Sequence, residues 1–345
     1  MKALFFLAMN SPLRIGINGF GRIGRNFARL IINNPSSNLI IVAINDPGDL
    51  ESLAHLLEFD SIHGRLHGVD IADGGIRING HFIPVSHERS ISAIDWRIHQ
   101  VDLILESSGK FKRIDELKAH LESGAPRVLL SAVGSDEAIK TIVLGANEDL
   151  IIGDEWILSN ASCTTNCAAP LVDVVDRHFS IESGYITTVH SYTSDQSLHD
   201  RPHRDLRRAR AAAVSIIPTT TGAAKAITKI YPKLDGFLGG AGIRVPVPNG
   251  SLTDVTYIVG KQTTVEEVNQ AFKSAAENEW KHRLEYTTKP LVSIDIVGNT
   301  HSCIYDSQLT SVIGKMVKVV GWYDNEIGYA SRLIDLINYW SKRWA

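Results

Sequence analysis

Cysteine and long hydrophobic runs are scarce in this chain of 345 residues, and their scarcity excludes several classes of protein. The three cysteines, Cys163, Cys167 and Cys303, are too few for a disulfide framework and favour a reducing compartment. They also lack a second pair of ligands, so no zinc or other metal site is predicted. No segment approaches the roughly 18 uninterrupted apolar residues of a membrane span. We therefore expect a cytoplasmic protein with no membrane partner.

A large excess of one charge is also missing. The formal net charge is -3 at pH 7, which gives no reason to expect nucleic acid as a partner. The length is sufficient for two domains, and 44% hydrophobic residues are typical of a globular protein. Residues 1–9 resemble the start of a signal peptide, but the apolar core is short and a strand pattern begins at Leu13. We expect a disordered extension here, or a start codon assigned upstream of Met9.

A glycine-rich turn follows the first predicted strand, Leu13–Asn18. Gly19, Gly21 and Gly24 match the pattern G-x-G-x-x-G, a helical pattern follows, and a second strand ends at Asp46, about 20 residues later. The glycines allow a tight turn and the approach of a pyrophosphate to the helix N-terminus. The acid accepts hydrogen bonds from ribose hydroxyls and repels a 2′-phosphate, which favours NAD over NADP. The alternative is a glycine turn that packs strand against helix without a ligand.

Further short apolar runs continue through the first half of the chain. Residues 76–85 predict a hairpin that turns at Asn79-Gly80. Strand-like runs follow at residues 101–106, 127–131 and 141–145. Strands that alternate with helical segments favour a parallel sheet with helices on both faces. The predicted fold class of this half is α/β, a dinucleotide-binding domain.

Cys163 lies where a strand-like run changes to a helical pattern. The residues around it are small and polar, with hydroxyls at Ser162, Thr164 and Thr165. At a helix N-terminus the partial positive charge favours a thiolate over a thiol. Cys163 is therefore a candidate nucleophile with room beside it for a small anion. The alternative is a cysteine buried as core packing, the role we expect for Cys167 one turn further on.

The second half carries groups that could assist such a nucleophile. His190 lies on a β-rich run and is a candidate base. The segment 194–213 has no clear period and predicts a functional or subunit-contacting loop. Its five arginines are Arg201, Arg204, Arg207, Arg208 and Arg210. A solvated charged face is the alternative, whereas nucleic-acid binding is disfavoured because acidic residues interrupt the arginines and no aromatic residues are interleaved.

Other elements of this half follow from local patterns. Arg244 lies in an otherwise apolar strand and needs a carboxylate or a bound phosphate as its partner. Residues 219–225 open a helix with hydroxyls suited to an anion. Thr264 and Glu267 form a capping box, and strand-like runs follow at residues 291–296 and 315–320. A closing helix has one apolar face that predicts core packing. The residues of that face are Tyr329, Leu333, Leu336, Ile337 and Trp340.

In the order in which they occur, these motifs resemble those of the phosphorylating glyceraldehyde-3-phosphate dehydrogenase family. The resemblance runs from Leu13 to the C-terminus. It rests on residues 19–25, 159–167, 190–193, 205–213, 219–225, 244–246 and 322–329. It implies a Rossmann NAD-binding domain at residues 12–162, completed by a C-terminal helix at 325–345. It also implies an α+β catalytic domain at residues 163–324 with a mostly antiparallel sheet.

The same resemblance implies a role for each candidate site residue. Cys163 would attack the aldehyde of D-glyceraldehyde 3-phosphate with His190 as base, giving a hemithioacetal and, after hydride transfer to NAD, a thioester. Inorganic phosphate would release 1,3-bisphosphoglycerate, in glycolysis or gluconeogenesis. The implied substrate- and phosphate-binding residues are Ser162, Thr164, Thr193, Arg208, Thr221, Gly222 and Arg244. The implied cofactor-binding residues are Gly19, Gly21, Arg22, Ile23, Gly24, Asp46, Ser131 and Asn325.

The resemblance further implies a homotetramer in which the long loop packs beside a neighbouring subunit's cofactor site. Three positions depart from the family's pattern without removing a catalytic group: Lys110, Gly250 (where valine is frequent) and Ile327 (where tryptophan is common). A related erythrose-4-phosphate dehydrogenase is an alternative, although residues 219–225 favour glyceraldehyde 3-phosphate. A non-catalytic binding protein on the same scaffold is disfavoured because Cys163 and His190 are both present.

Overall fold

The computed structural model describes residues 11–344, and this part of the chain forms two compact units. Of the described residues, the first unit contains 11–141, 151–160 and 333–344, and the second contains 142–150 and 161–332. The extension expected at residues 1–9 lies outside the described residues. None of the helices formed by residues 11–344 has both the length and the apolar character needed to cross a bilayer.

The helices and strands of the described residues are numbered here in chain order. The α-helices are α1 (Arg22–Ile32), α2 (Leu50–Glu58), α3 (Ile114–Glu122), α4 (Cys163–Phe179), α5 (Ala223–Ile230), α6 (Val265–Glu277) and α7 (Ile327–Ser341). The strands are β1 (Leu13–Asn18), β2 (Leu39–Asn45), β3 (Phe59–Asp60), β4 (Gly64–Arg65), β5 (Val69–Ala72), β6 (Gly75–Ile78), β7 (His81–Ser86), β8 (Leu103–Glu106), β9 (Val128–Leu130), β10 (Lys140–Thr141), β11 (Ile157–Ser159), β12 (Ile181–Ser191), β13 (Ile217–Thr219), β14 (Leu238–Val245), β15 (Ser251–Val259), β16 (Leu284–Thr287), β17 (Cys303–Asp306), β18 (Ser311–Ile313) and β19 (Met316–Tyr323).

A nine-stranded sheet organises the first unit, in the order β10-β11-β9-β8-β1-β2-β7-β6-β5. The strands from β10 to β7 pair in parallel, and only β6 and β5 are antiparallel to their neighbours. The buried run of β1 is typical of a parallel sheet covered on both faces. The predicted α/β class is confirmed. The hairpin β6-β7 is confirmed too, with Asn79 and Gly80 at φ angles of 50° and 85° in its turn.

The sheet of the second unit has the order β13-β14-β12-β15-β19-β17-β16, and β18 also pairs with β19. The pairs β14-β12 and β17-β16 are parallel, and the other pairs are antiparallel. This confirms the mostly antiparallel sheet expected for an α+β domain. Along β15, buried residues alternate with more exposed ones, as expected for an antiparallel sheet that packs against the core on one face only.

Local signals at two helix ends are also confirmed. The Thr264 hydroxyl oxygen accepts the Glu267 N–H at 3.2 Å, and the Glu267 carboxylate accepts the Thr264 N–H at 3.1 Å. The predicted apolar face of α7 is buried, with each of its five residues at most 4% exposed. Core packing explains that face.

Two strand predictions are wrong. Strand β10 ends at Thr141, and residues 142–145 turn instead because the Asn147 side chain accepts the Val143 N–H at 2.8 Å. Residues 291–296 include a 3₁₀ helix at Ser293–Ile296, whose start is held by the Asp295 carboxylate accepting the Val292 N–H at 2.9 Å. In both segments a nearby polar side chain takes a backbone N–H that a strand would need.

The backbone conformation and close packing of Gly250, in the second unit, can be tested by substitution. Its φ is +86°, and a Cβ at this position would lie 2.1 Å from the Ser293 carbonyl oxygen. Gly298 has the same φ, but the space around it is open. We expect Gly250→Ala to lower the free energy of unfolding by about 1–3 kcal/mol more than Gly298→Ala, because only the first substitution adds a collision. Urea unfolding followed by circular dichroism measures both, and equal losses would argue against the collision.

Candidate active site

Cys163 occupies the first turn of α4, as the sequence predicts. Ser162 caps this helix, since its hydroxyl oxygen accepts the Thr165 N–H at 3.1 Å and lies 2.7 Å from the Thr165 hydroxyl. Cys163 is partly exposed, whereas Cys167 and Cys303 are buried. Cys163 is therefore the accessible thiol of the three.

His190 lies beside this thiol near the end of β12. Its Nε2 is 3.5 Å from the Cys163 Sγ, and its Nδ1 is 2.7 Å from the Ser191 carbonyl oxygen. A carbonyl oxygen can only accept, and that of Ser191 is the nearer of the two partners of Nδ1, so we assign the ring proton to Nδ1. The lone pair of Nε2 then faces the sulfur. Burial, reinforced by the positive charge of Arg244, lowers the pKa of His190 to about 3. The ring is then neutral at pH 7 and has a lone pair for the thiol proton, but the lowered pKa also makes it a weaker base than an exposed histidine.

Arg244 is the third member of this group, placed opposite His190 by the parallel pairing of β12 and β14. Its Nη1 donates to the Ser191 carbonyl oxygen at 3.0 Å and lies 2.9 Å from the His190 Nδ1. Because a guanidinium can only donate, this second contact opposes a proton on Nδ1. Burial raises the pKa of the Cys163 thiol to about 11, while Arg244 and the Thr164 N–H act to lower it. The thiolate expected from the helix start alone is therefore opposed by burial. The sulfur needs His190 to take its proton.

Two guanidinium groups interact in this region. Arg244 forms no salt bridge with any carboxylate of residues 11–344, and burial together with the nearby Arg208 lowers its pKa. Arg208 is held by the Asp195 carboxylate at 2.5 Å and donates to the Thr219 hydroxyl at 2.8 Å. Of the two partners that the sequence left open for Arg244, the carboxylate is ruled out within the described residues. Its charge remains available to a bound anion.

The other predicted anion-binding residues lie at the ends of elements in the second unit. Thr193 follows β12, and Gly222 is the N-cap of α5, where no side chain caps the helix and no atom would contact a Cβ. The Thr221 hydroxyl oxygen accepts the Ala223 N–H at 3.2 Å. An open helix start of this kind suits an anion. Within the described part of the chain, none of these three residues hydrogen-bonds to the group formed by Cys163, His190 and Arg244.

Asn325 is oriented by two serines that sequence analysis does not identify. The hydroxyls of Ser191 and Ser251 donate to its Oδ1 at 2.9 and 2.8 Å. Its Nδ2 is thus the end that can donate to a ligand. Ser191 could have been found from its position next to His190, but nothing in the sequence distinguishes Ser251.

Tyr323 is a further residue that sequence analysis does not assign to the site. Its hydroxyl lies 2.9 Å from the hydroxyl of Thr164, so this predicted anion-binding group already has a partner in the protein. The Tyr323 ring meets the His190 imidazole edge-on, with 6.0 Å between the ring centroids. Tyr323 therefore limits the rotation of the base.

In the first unit, the three glycines of the motif differ in the space that surrounds them. Gly19 has a φ of +92°, and a Cβ there would lie 2.3 Å from the Ser108 nitrogen. A Cβ on Gly24 would lie 2.4 Å from the Gly19 carbonyl oxygen, so α1 packs closely on the turn. Gly21, the N-cap of α1, would meet nothing within 4 Å. A ligand-free packing role explains Gly19 and Gly24, whereas the open space at Gly21 fits the pyrophosphate of NAD.

A cleft of about 300 Å³ adjoins this turn and is lined in part by Gly19, Gly21 and Asp46. Chain order reverses at β1, where a doubly wound sheet binds its ligand at the carboxyl ends of the strands. The Asp46 carboxylate accepts the Phe20 N–H at 2.7 Å and the Gly48 N–H at 2.8 Å. Each oxygen keeps acceptor capacity for a ribose hydroxyl.

Arg22, Ile23 and Ser131 are the remaining predicted cofactor-binding residues. Arg22 and Ile23 begin α1, and Ser131 follows β9. The Arg22 guanidinium pairs with the Asp60 carboxylate at 2.5 and 3.1 Å. Although burial acts to raise it, hydrogen bonds from Arg22 and from two backbone N–H groups hold the pKa of Asp60 at about 2. The side chain of Arg22 is thus engaged within the protein.

Sequence analysis does not identify three polar residues beside this cleft: Asn18, Asn45 and Glu106. They are the last residues of β1, β2 and β8, and the strand register places Asn18 directly between the other two. All three are buried. A polar residue at the carboxyl end of each buried apolar strand is the signal that could have found them.

Arg244 allows a test of the electrostatics at the sulfur. Iodoacetamide reacts with the thiolate of an accessible cysteine, so the rate of alkylation at pH 8 reports the pKa of Cys163. We expect Arg244→Leu to raise this pKa and slow alkylation, by roughly tenfold per pH unit of the shift, because burial is then less opposed. Arg210→Leu, which removes an exposed guanidinium paired with Asp200, is the matched control and should leave the rate unchanged. An unchanged or faster rate in Arg244→Leu contradicts this account.

Comparison with known proteins identifies the family. The family model described as "Glyceraldehyde 3-phosphate dehydrogenase, NAD binding domain" matches residues 13–114, and the one described as its "C-terminal domain" matches residues 162–325. Glyceraldehyde-3-phosphate dehydrogenase 2 of Streptomyces avermitilis is 50% identical over 327 residues, covering 94% of this chain and 97% of the relative. The glyceraldehyde-3-phosphate dehydrogenase of Geobacillus stearothermophilus is 50% identical over 330 residues, covering 95% and 98%. The resemblance found in the sequence is confirmed: this chain belongs to the glyceraldehyde-3-phosphate dehydrogenase family, and its cofactor is NAD.

Proposed function

We propose that this protein is a phosphorylating NAD-dependent dehydrogenase that converts D-glyceraldehyde 3-phosphate to 1,3-bisphosphoglycerate. The observation that carries the proposal is the 3.5 Å contact between the Cys163 Sγ and the His190 Nε2, beside the Arg244 guanidinium. A thiol with an adjacent neutral imidazole is a nucleophile toward an aldehyde. Arg244 is a half-buried guanidinium with no carboxylate partner among residues 11–344, which favours a substrate that carries phosphate.

The first half of the reaction depends on proton movement between two side chains. The Cys163 Sγ attacks the aldehyde carbon as its proton passes to the His190 Nε2, which forms a hemithioacetal. The Ser191 carbonyl holds the opposite side of the imidazole and stabilises its protonated form. The N-terminus of α4 favours the negative charge that develops on the substrate oxygen. NAD supplies the acceptor for the hydride whose loss converts the hemithioacetal to a thioester.

The second half of the reaction releases the product. Inorganic phosphate attacks the thioester carbon, the bond from that carbon to the Cys163 sulfur breaks, and the sulfur leaves as a thiolate. The His190 Nε2 then returns its proton to this thiolate and restores the thiol. We assign Thr193 and Arg244 to the phosphate group of the substrate. The other anion contacts, chiefly to inorganic phosphate, are assigned to Ser162, Thr164, Arg208, Thr221 and Gly222. The mutual repulsion between Arg208 and Arg244 supports this assignment, because a bound anion relieves it.

We further propose that residues 12–162 and the C-terminal helix form the NAD-binding domain and that residues 163–324 form the catalytic domain. The open helix start at Gly21 supports pyrophosphate binding by the α1 turn, and Asp46 is assigned to the ribose. The fixed orientation of Asn325 supports a hydrogen bond from its Nδ2 to the nicotinamide carboxamide. The full set of proposed cofactor residues is Gly19, Gly21, Arg22, Ile23, Gly24, Asp46, Ser131 and Asn325.

A cytoplasmic homotetramer is the state that we propose for the enzyme. In the loop of residues 194–213, Leu198 and Leu206 are 70% and 82% exposed. Large apolar side chains exposed on one loop support a contact with another subunit. The free thiols of all three cysteines are compatible with a reducing compartment.

The proposal is tested by NAD reduction with glyceraldehyde 3-phosphate and erythrose 4-phosphate, with and without phosphate or arsenate. We expect the higher kcat/KM with glyceraldehyde 3-phosphate and a strict need for one of the two anions, because the thioester requires an attacking group. Cys163→Ala should abolish turnover and keep NAD binding, measured by calorimetry. Cys167→Ala is the matched control and should keep turnover, because that thiol is buried. A higher kcat/KM with erythrose 4-phosphate disproves the substrate assignment, and activity in Cys163→Ala disproves the nucleophile.

A further inference from the structure

A buried histidine in the first unit has no part in the reaction described above. His120 is 0% exposed, and its Nε2 lies 3.0 Å from the Oε2 of Glu106, which is 1% exposed. On the other side of the ring, the Trp96 indole N–H donates to the His120 Nδ1 at 3.0 Å. An indole N–H can only donate, so Nδ1 must accept, and the ring proton is fixed on Nε2. His120 therefore donates to Glu106.

Glu106 receives four hydrogen bonds from three neighbours. Besides His120, the Asn18 Nδ2 donates to Oε2 at 2.5 Å. The Ser108 N–H and hydroxyl both donate to Oε1, at 2.8 and 2.5 Å. Four donors satisfy the two oxygens of the carboxyl group, which explains how this group can be buried. The carboxylate would be repelled if the lone pair of the His120 Nε2, or the amide oxygen of Asn18, faced it instead.

The chain of hydrogen bonds continues along the carboxyl edge of the sheet. The Asn18 Oδ1 accepts from the Asn45 Nδ2 at 2.8 Å, and the Asn45 Oδ1 accepts the Glu88 N–H at 2.9 Å. Each amide is therefore fixed in one orientation. Asn18, Asn45, Glu88 and Ser108 line the cleft beside the glycine turn, whereas Trp96 and His120 do not. The Gly19 N–H also donates to the Asn45 carbonyl oxygen at 2.8 Å, so the turn rests on the same row.

We propose that Trp96 and His120 are positioning residues for NAD. Trp96 holds the ring of His120 in place through Nδ1, His120 holds the carboxylate of Glu106, and Glu106 holds Asn18 and Ser108 in the wall of the cofactor cleft. Without the indole N–H, the His120 Nδ1 loses its donor and the ring is held by Glu106 alone, so it can tilt away from the carboxylate. The weakened hydrogen bond frees Glu106 to move and loosens the two cleft residues that it holds. This inference rests on the binding of NAD in this cleft, as the proposed function requires.

The test compares two tryptophans with similar surroundings. Trp96→Phe removes the donor to His120, and Trp280→Phe removes a donor to the buried carboxylate of Asp173, at 2.9 Å in the second unit. Both tryptophans are 0% exposed, so both variants should lose thermal stability. Only Trp96→Phe should raise the Kd and KM for NAD, by roughly fivefold to tenfold, as expected for the loss of about one buried hydrogen bond. Its kcat at saturating NAD and its KM for the aldehyde should match those of the wild type.

Substitutions of His120 give a second, independent comparison. His120→Gln can still accept from Trp96 and donate to Glu106, whereas His120→Leu can do neither. We expect His120→Gln to have an NAD Kd close to that of the wild type and His120→Leu to bind NAD more weakly. This pair decides the question if Trp96→Phe does not fold.

A failure of the positioning role can be distinguished from a failure of the proposed function. An NAD Kd that stays at the wild-type value in Trp96→Phe and His120→Leu overturns the positioning role. The same holds if Trp280→Phe weakens NAD binding to the same degree, since the effect would then be a general loss of stability. A wild-type protein that does not bind NAD contradicts the proposed function itself.

Discussion

The contact between the Cys163 sulfur and the His190 Nε2 is the interaction on which the chemistry of this protein depends. Burial opposes the thiolate, so the sulfur becomes a nucleophile only where a base can take its proton. Burial and Arg244 keep His190 neutral, so its Nε2 has a lone pair for that proton. The Ser191 carbonyl, 2.7 Å from Nδ1, favours the ring proton on the far side of the ring. Capping by Ser162, the pairing of β12 with β14 and the packing of Tyr323 all hold this contact in place.

Each unit contains a buried histidine with fixed neighbours at Nδ1, and the protonation of Nε2 differs between the two. In the second unit, the Ser191 carbonyl oxygen, which can only accept, favours an unprotonated His190 Nε2, and the Arg244 guanidinium beside Nδ1 opposes it. In the first unit, an indole N–H that can only donate leaves the His120 Nε2 protonated, which makes it a donor to Glu106. At His120 a neighbour with a single hydrogen-bonding capacity sets the tautomer, whereas at His190 an acceptor and a donor compete for the same nitrogen. Such fixed partners position a site without contacting its ligand.

Much of the fold and of the site can be predicted because the signals are local. The glycine turn, the helix start at Cys163, the capping box at Thr264 and the closing helix are each set by residues within a few positions of one another. The wrong strands at residues 142–145 and 291–296 show the limit of apolar content, because one polar side chain nearby redirects the backbone. Ser251 and Glu106 were not predicted because their partners are distant in sequence. For the same reason the effect of burial on the Cys163 pKa could not be predicted.

The central claim is that Cys163 carries the substrate as a thioester. Its most direct test is mass spectrometry of the protein quenched after mixing with NAD and glyceraldehyde 3-phosphate in the absence of phosphate. The account predicts an acyl group on the peptide that contains Cys163, located on Cys163 by fragmentation and lost when phosphate is added before quenching. An acyl group on Cys167 or on another peptide, or turnover without any covalent adduct, would contradict it.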